Sequence, residues 1–169
     1  MKNSSEYKDL DKFDVRILKA LQRDGRITKL QLADEIGLSS TPCWERMNKL
    51  EKAGVIQGYH AELDYRKLVG VSYFRVFVVI RNYSLSISRL FEDMIASMPE
   101  VVECEAVLGE SDYVLKVLAK SVDEYLQIME EMQSLDKVDM DYQTLPVSKV
   151  LKSEPDVDVE ELYNRFVPT

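Results

Sequence analysis

The hydrophobic period of this chain changes once, near residue 64, and that change constrains the fold more than any other feature. Before it, apolar side chains recur every three or four residues, as on one face of a helix. Leu10, Phe13, Ile17, Leu18 and Leu21 are the first such set. From Ser72 onward, strand-like runs alternate with helical ones. A helical half followed by a mixed half makes the expected class α+β.

The helical half punctuates itself. Asp11 is placed to cap the first helix and Asp24-Gly25 to stop it. Thr28-x-x-Gln31 has the spacing of a capping box, opening a short helix with Leu32, Ala33 and Ile36 inside. Gly37 suits the left-handed residue at its end, and Ser39 can cap a third helix that tolerates Pro42 in its first turn. That helix is expected to bury Cys43, Met47 and Leu50 and to end at Ala53-Gly54. Val55-Ile56, Gly58, Tyr59 and Leu63 read as a short extended exit, with His60 a surface or wing residue.

The second half reads β-α-β-β-α-β. Ser72–Arg81 is a strand with apolar residues on both faces. A helix follows with Ile87, Leu90, Phe91, Met94, Ile95 and Met98 on one face. Val101–Leu108 and Asp112–Ala119 are strands joined at Gly109-Glu110-Ser111. Ser121-x-x-Glu124 is a second capping box, with Val122, Tyr125, Leu126, Met129 and Met132 inside, and Val138–Leu151 is a last strand broken at Pro146. This order is the ferredoxin-like, split βαβ arrangement. The expected domains are 1–63, helix-turn-helix; 64–71, linker; 72–152, ferredoxin-like; and 153–169, a tail with a short amphipathic helix (Val159, Leu162, Tyr163, Phe166).

Composition removes several function classes. One histidine disfavours a His-based metal site and a Ser-His-Asp triad. Two cysteines, Cys43 and Cys104, form neither a disulfide framework nor a zinc set, and a cytoplasmic location is expected. Both are expected to be buried packing residues. No apolar run approaches the ~18 residues of a membrane helix. Met1–Lys12 is polar, so no secretory leader is expected. The net charge of -8 is uneven: residues 1–63 carry +1 and residues 64–169 carry -9. The acidity therefore does not exclude a nucleic-acid partner for the first half.

Two short helices joined at Gly37 make a helix-turn-helix candidate. Opposite its buried stripe, the third helix presents Thr41, Glu45, Asn48, Lys49 and Lys52, with Trp44 and Arg46 on the flanks. Lys and Arg can neutralise phosphates or reach guanine, and Asn can pair with adenine. The Ser39, Ser40 and Thr41 hydroxyls can meet phosphates. The alternative is an ordinary capped helix with a solvated charged face.

Leu10-Asp11-x-x-Asp14-x-x-Ile17-Leu18, Asp24-Gly25-Arg26, Leu32-Ala33, Ile36-Gly37-Leu38-Ser39, Thr41-Pro42-Cys43 and Arg46-x-x-x-Leu50-Glu51-x-x-Gly54-Val55-Ile56 together resemble the helix-turn-helix of the Lrp/AsnC, or feast/famine, transcriptional regulators. Gly58-Tyr59 and Gly109-x-x-Asp112-Tyr113 extend the resemblance into that family's ligand-sensing (RAM) domain, over roughly residues 10–151. Ser40 stands where a proline is common, Asn48 where a basic residue is common, and the acidic tail after Lys152 is unusual.

The resemblance implies a cytoplasmic, sequence-specific regulator that binds double-stranded DNA, contains no cofactor and is not an enzyme. It implies a homodimer, with tetramers or octamers common. It also implies an amino-acid effector held between RAM domains by Leu108, Gly109, Asp112, Tyr113 and Thr144. Physically, glycine permits close approach, turn amides can hold a carboxylate, and Asp112 can receive an ammonium. The alternative is a structural turn in which Asp112 satisfies local amides. The exposed sheet face, too apolar for water on either side of Ser72–Arg81, calls for a cover. A second copy is expected there, or else the C-terminal tail. The competing functional readings are an architectural DNA binder without effector and a ferredoxin-like enzyme.

Overall fold

The computed structural model describes residues 10–153 and 157–167. The polar stretch before Leu10, residues 154–156 and residues 168–169 lie outside the described residues. The chain divides into two compact units, Met1–Glu62 with Leu151–Thr169, and Leu63–Val150.

The first unit holds α1 (Lys12–Arg23), α2 (Lys29–Ile36) and α3 (Ser40–Lys52). Asp11 caps α1 by accepting from the Phe13 and Asp14 amides, and Asp14 returns the bond to the Asp11 amide. Thr28 and Gln31 close the second box, and Gly37 ends α2 at φ 77°. That left-handed residue turns the chain into α3 within three residues, at a conformation a Cβ would disfavour. Ile17, Leu32, Ile36, Cys43 and Leu50 form the dry centre. Ser39 occupies the N-cap position of α3 without a side-chain hydrogen bond, contrary to its expected capping role. No strand forms between α3 and residue 64. The exit segment is pinned instead by the Tyr59 hydroxyl, which donates to Glu51 at 3.0 Å.

The second unit begins with α4 (Tyr65–Val69) where a linker was expected; Asp64 caps it and Gly70 ends it. It continues through β1 (Ser72–Ile80), α5 (Leu85–Ser97), β2 (Val101–Ala106), β3 (Tyr113–Ala119), α6 (Val122–Gln133) and β4 (Met140–Pro146). The sheet has order β2-β3-β1-β4 and every pairing is antiparallel. Phe74, Val76, Val78 and Ile80 turn inward with Leu115 and Val117, against Phe91 of α5 and Met129 and Met132 of α6. Tyr73, Arg75, Phe77 and Val79 alternate onto the other face.

Several boundaries and faces differ from expectation. β2 stops at Ala106 and β4 spans only Met140–Pro146, because both leave the reach of β3 and β1. In α6, Ile128 takes the inner position, while Val122 and Leu126 are exposed. Leu90 of α5 is also exposed. Ser121 caps α6, but Glu124 reaches the Lys120 amide rather than closing the box. Cys104 is exposed rather than buried, because β2 is an edge strand the helices cover poorly. The tail helix α7 (Val159–Phe166) packs on α1.

Candidate functional site

In α3, the stripe of Cys43, Met47 and Leu50 is fully committed to the core. At 100° per residue, the opposite side must carry Thr41, Glu45, Asn48 and Lys52. Ser39, Ser40, Thr41, Trp44, Glu45, Lys49 and Lys52 are exposed, and Asn48 is half-buried. Trp44 lies beneath the Lys29 ammonium of α2, with Nζ 3.1 Å from the ring centroid. This cation–π contact links the Trp44 ring of α3 to α2. Lys29 was not among the expected site residues. Its signal was weak, since the first residue of a capped helix is commonly a solvated charge.

Arg46 is placed differently from the other basic side chains. Its Nη1 is 2.8 Å from Asp11 and 2.8 Å from Asp14. Asp14 is only 1% exposed, and its second oxygen accepts from the Asp11 amide. Arg46 therefore joins α3 to the start of α1 rather than projecting as an open phosphate contact. Burial pushes the Asp11 carboxyl up, but the Asp14 amide, Arg46 and the Phe13 amide outweigh it and hold it below its ordinary value. A sequence signal existed: Asp14 sits three residues before Ile17, on the apolar face of α1, where an acid needs a partner.

The expected ligand residues divide. Leu108 and Gly109 form an open turn, Leu108 fully exposed and Gly109 at φ 151°. Nothing lies within 4 Å of the space a Cβ would occupy on Gly109. Asp112 is tied to the end of the central strand β1: its amide donates to the Val78 carbonyl and its Oδ2 accepts from the Ile80 amide at 2.7 Å. That geometry matches the alternative in which Asp112 satisfies local amides. Tyr113 is buried, packs on Phe91 and donates to Glu92 at 2.9 Å. Burial and the Glu92 carboxylate push its phenol up to about 12. Thr144 is on the other side of β1, paired with Val76 and sharing a hydrogen bond with the Tyr125 hydroxyl. The turn thus gathers Leu108, Gly109, Asp112 and Tyr113, and Thr144 stands apart from them within one chain.

The outer face of the sheet combines Tyr73, Phe77 and Val79 with a charge cluster. Glu103 is 2.9 Å from Arg75 and 2.6 Å from Lys116. Burial raises the Glu103 carboxyl, but Lys116 and Arg75 together bring it below its ordinary value.

Residues 10–57 match the model of a winged helix-turn-helix DNA-binding domain, and residues 75–157 match the Lrp/AsnC ligand-binding domain. The chain is 42% identical over 143 residues to the transcriptional regulatory protein DoeX of Halomonas elongata, covering 85% of this chain and 90% of that one. The chain belongs to the Lrp/AsnC family of transcriptional regulators. A second relative is the proline dehydrogenase transcriptional activator of Rhizobium radiobacter, 38% identical over 82% of this chain and 89% of that one. Among solved structures, a transcriptional regulator of Neisseria meningitidis in complex with L-methionine superposes with a TM-score of 0.80 at 31% identity, over 90% of this chain and 99% of that one. An AsnC-family regulator of Agrobacterium tumefaciens gives 0.78 at 30%, over 85% and 94%. As an Lrp/AsnC protein, the chain is a transcriptional regulator with a DNA-binding helix-turn-helix and a ligand-binding domain. Both relatives are transcriptional regulators. Among the described residues, no helix is long and apolar enough to cross a membrane, and no cluster of three His, Cys, Asp or Glu side chains could hold a metal.

Proposed function

We propose that the exposed face of α3 reads operator DNA. The observation carrying this is the capped α2–Gly37–α3 corner, which buries one stripe of α3 and leaves the opposite one polar. Ser39, Ser40 and Thr41 meet phosphates, Trp44 and Asn48 approach base edges, and Lys49 and Lys52 neutralise phosphates. Arg46 contributes by fixing α3 against α1. Residues 1–63 are thereby the DNA-binding part and 72–152 the sensing and assembly part. The test is binding of the full chain to its own upstream DNA across a salt series. Lys49→Ala is expected to weaken binding and to reduce the salt slope by about one unit. Unchanged affinity and slope would remove this face from the reading role.

The same reading assigns DNA binding to a homodimer formed through the outer sheet face, with tetramers or octamers built from it. Paired reading helices then call for a (pseudo)palindromic site. The effector is an amino acid or related metabolite at the turn of Leu108 and Gly109, which Asp112 and Tyr113 hold in shape. Thr144 would join that site only across a pair of copies. The L-methionine complex of the Neisseria relative supports an amino-acid class. Calorimetric titration with a panel of amino acids, beside the DNA assay, tests it; no binding by any member would overturn it. The protein works in the cytoplasm, where its DNA is, and by binding rather than catalysis. Burial pushes the Cys43 thiol above its ordinary value, and partial desolvation with the nearby Glu92 and Glu105 carboxylates does the same for the exposed Cys104, which makes both poor nucleophiles.

A further inference from the structure

The outer face of the sheet is electrically polarised along its strands. β1 crosses it from the Tyr73 level to the Val79 level, and the pairings set the neighbouring strands beside it level by level. Near the Tyr73 end, Arg75, Lys116 and Glu103 share one level, with Glu103 bridging the two cations at 2.9 Å and 2.6 Å. Arg66 of α4 adds a third cation there. Its guanidinium is 4.7 Å from the Tyr73 ring centroid, and the Lys116 ammonium is 5.1 Å from it. Arg66 donates Nη2–H to the Val147 carbonyl at 3.1 Å, while its Nε–H has no acceptor among the described residues. A guanidinium has five donors, so this one has capacity left.

The far end is acidic. Asp141 pairs with Val79, and Asp139 follows two residues further out. Val138 and Met140 are buried, so the alternating Asp139 and Asp141 side chains project to the outer face. Both share Arg81, which lies 2.6 Å from Asp141 and 3.6 Å from Asp139. The half-buried Phe77 stands midway between the two ends.

Two copies meeting through this face are related by a two-fold axis that lies between the sheets. An axis along the strands stacks each end on its like, cations over cations. An axis across the strands stacks each end on its opposite. Packed sheets are about 10 Å apart, close enough for long charged side chains to meet. We propose that the two sheets stack with their β1 strands antiparallel, so that Arg66 of one copy faces the partner's Asp139 and Asp141, and Phe77 meets its own copy near the axis. This orientation rests on the dimer through the outer sheet face given above. Glu105, level with Phe77, is exposed on the edge strand β2, where aligned sheets crossing at about 30° splay apart and leave it in water.

The test uses the full-length chain and needs neither DNA nor effector. Arg66→Glu sets two like charges against each other twice in its own dimer, and so does Asp139→Lys. Each is expected to weaken its dimer about tenfold in sedimentation. In a one-to-one mixture of the two variants, the mixed dimer contains one original pair and one inverted pair, both attractive. Native mass spectrometry is expected to show the mixed dimer well above its statistical half. A role confined to one chain cannot produce that preference. The wild type supplies a second measurement, which decides if either variant fails to fold. Raising salt from about 10 mM to 100 mM shortens the screening length from about 30 Å to 10 Å and should weaken a dimer with opposite ends stacked. Statistical mixing, or a wild-type dimer that tightens over this salt range, would overturn the orientation while leaving the dimer itself standing. A monomeric wild type, or a Phe77→Glu variant that stays dimeric, would overturn the dimer through this face and the orientation with it.

Discussion

Replacing Arg46 by alanine separates a structural role from a DNA contact. The guanidinium bonds Asp11 and Asp14, both at 2.8 Å. The Asp14 side chain is 2% exposed, while Arg46 is 30% exposed. Removing one partner of a fully buried pair costs about 3–5 kcal/mol, since the remaining charge is stranded. Water reaches the Arg46 side of this pair and the Asp11 amide still serves Asp14, so the discounted expectation is about 2 kcal/mol. For a unit of this size, that lowers its melting temperature by roughly 8–16 °C. Calorimetry of the full chain is the assay, following the helix-turn-helix transition. Lys49→Ala, on the exposed side, should stay within about 0.5 kcal/mol of wild type. An Arg46→Ala protein that melts normally but loses DNA affinity would refute the structural assignment and return Arg46 to the reading face.

Asp112→Ala strands the buried Ile80 amide and should destabilise the sensing unit by about 1–3 kcal/mol, read by denaturant titration; normal stability would mean the bond is replaceable. Gly109→Val meets open space but a disfavoured backbone, so a cost of about 1–3 kcal/mol is expected from φ alone, and an undiminished melting temperature would exclude it. Glu103 has a depressed folded-state pKa, so its stabilisation is present above its unfolded value of 4.5 and is lost as pH falls through the folded value. Acid titration of Glu103→Gln should therefore be flatter than wild type in that window; superimposable curves would contradict the Arg75–Lys116 assignment. Phe77→Glu on the outer sheet face should give monomers in sedimentation at micromolar concentration, and a persistent dimer would place the interface elsewhere.

Local sequence determined most of the elements. The caps at Asp11 and Thr28, the left-handed Gly37 and the inner stripe of α3 each depend on residues within about one turn of one another, so spacing alone exposes them. The β-α-β-β-α-β order was legible for the same reason, and so was an amphipathic tail helix. What the tertiary structure decided depends on partners distant in sequence. Arg46 looks like any basic residue on a helix flank until Asp14, 32 residues away, is brought beneath it. Asp112 reads equally as a ligand group or a turn anchor until the Ile80 amide arrives from another strand. The inner face of α6 shifted toward Ile128 because the neighbouring sheet, not helical periodicity, sets where coverage ends. The apolar stripe of α7 announced that it must pack on something, but hydrophobic burial is non-directional and names no partner. Only the fold, by setting Lys19 against Asp158 and Glu160, determined that the partner is α1.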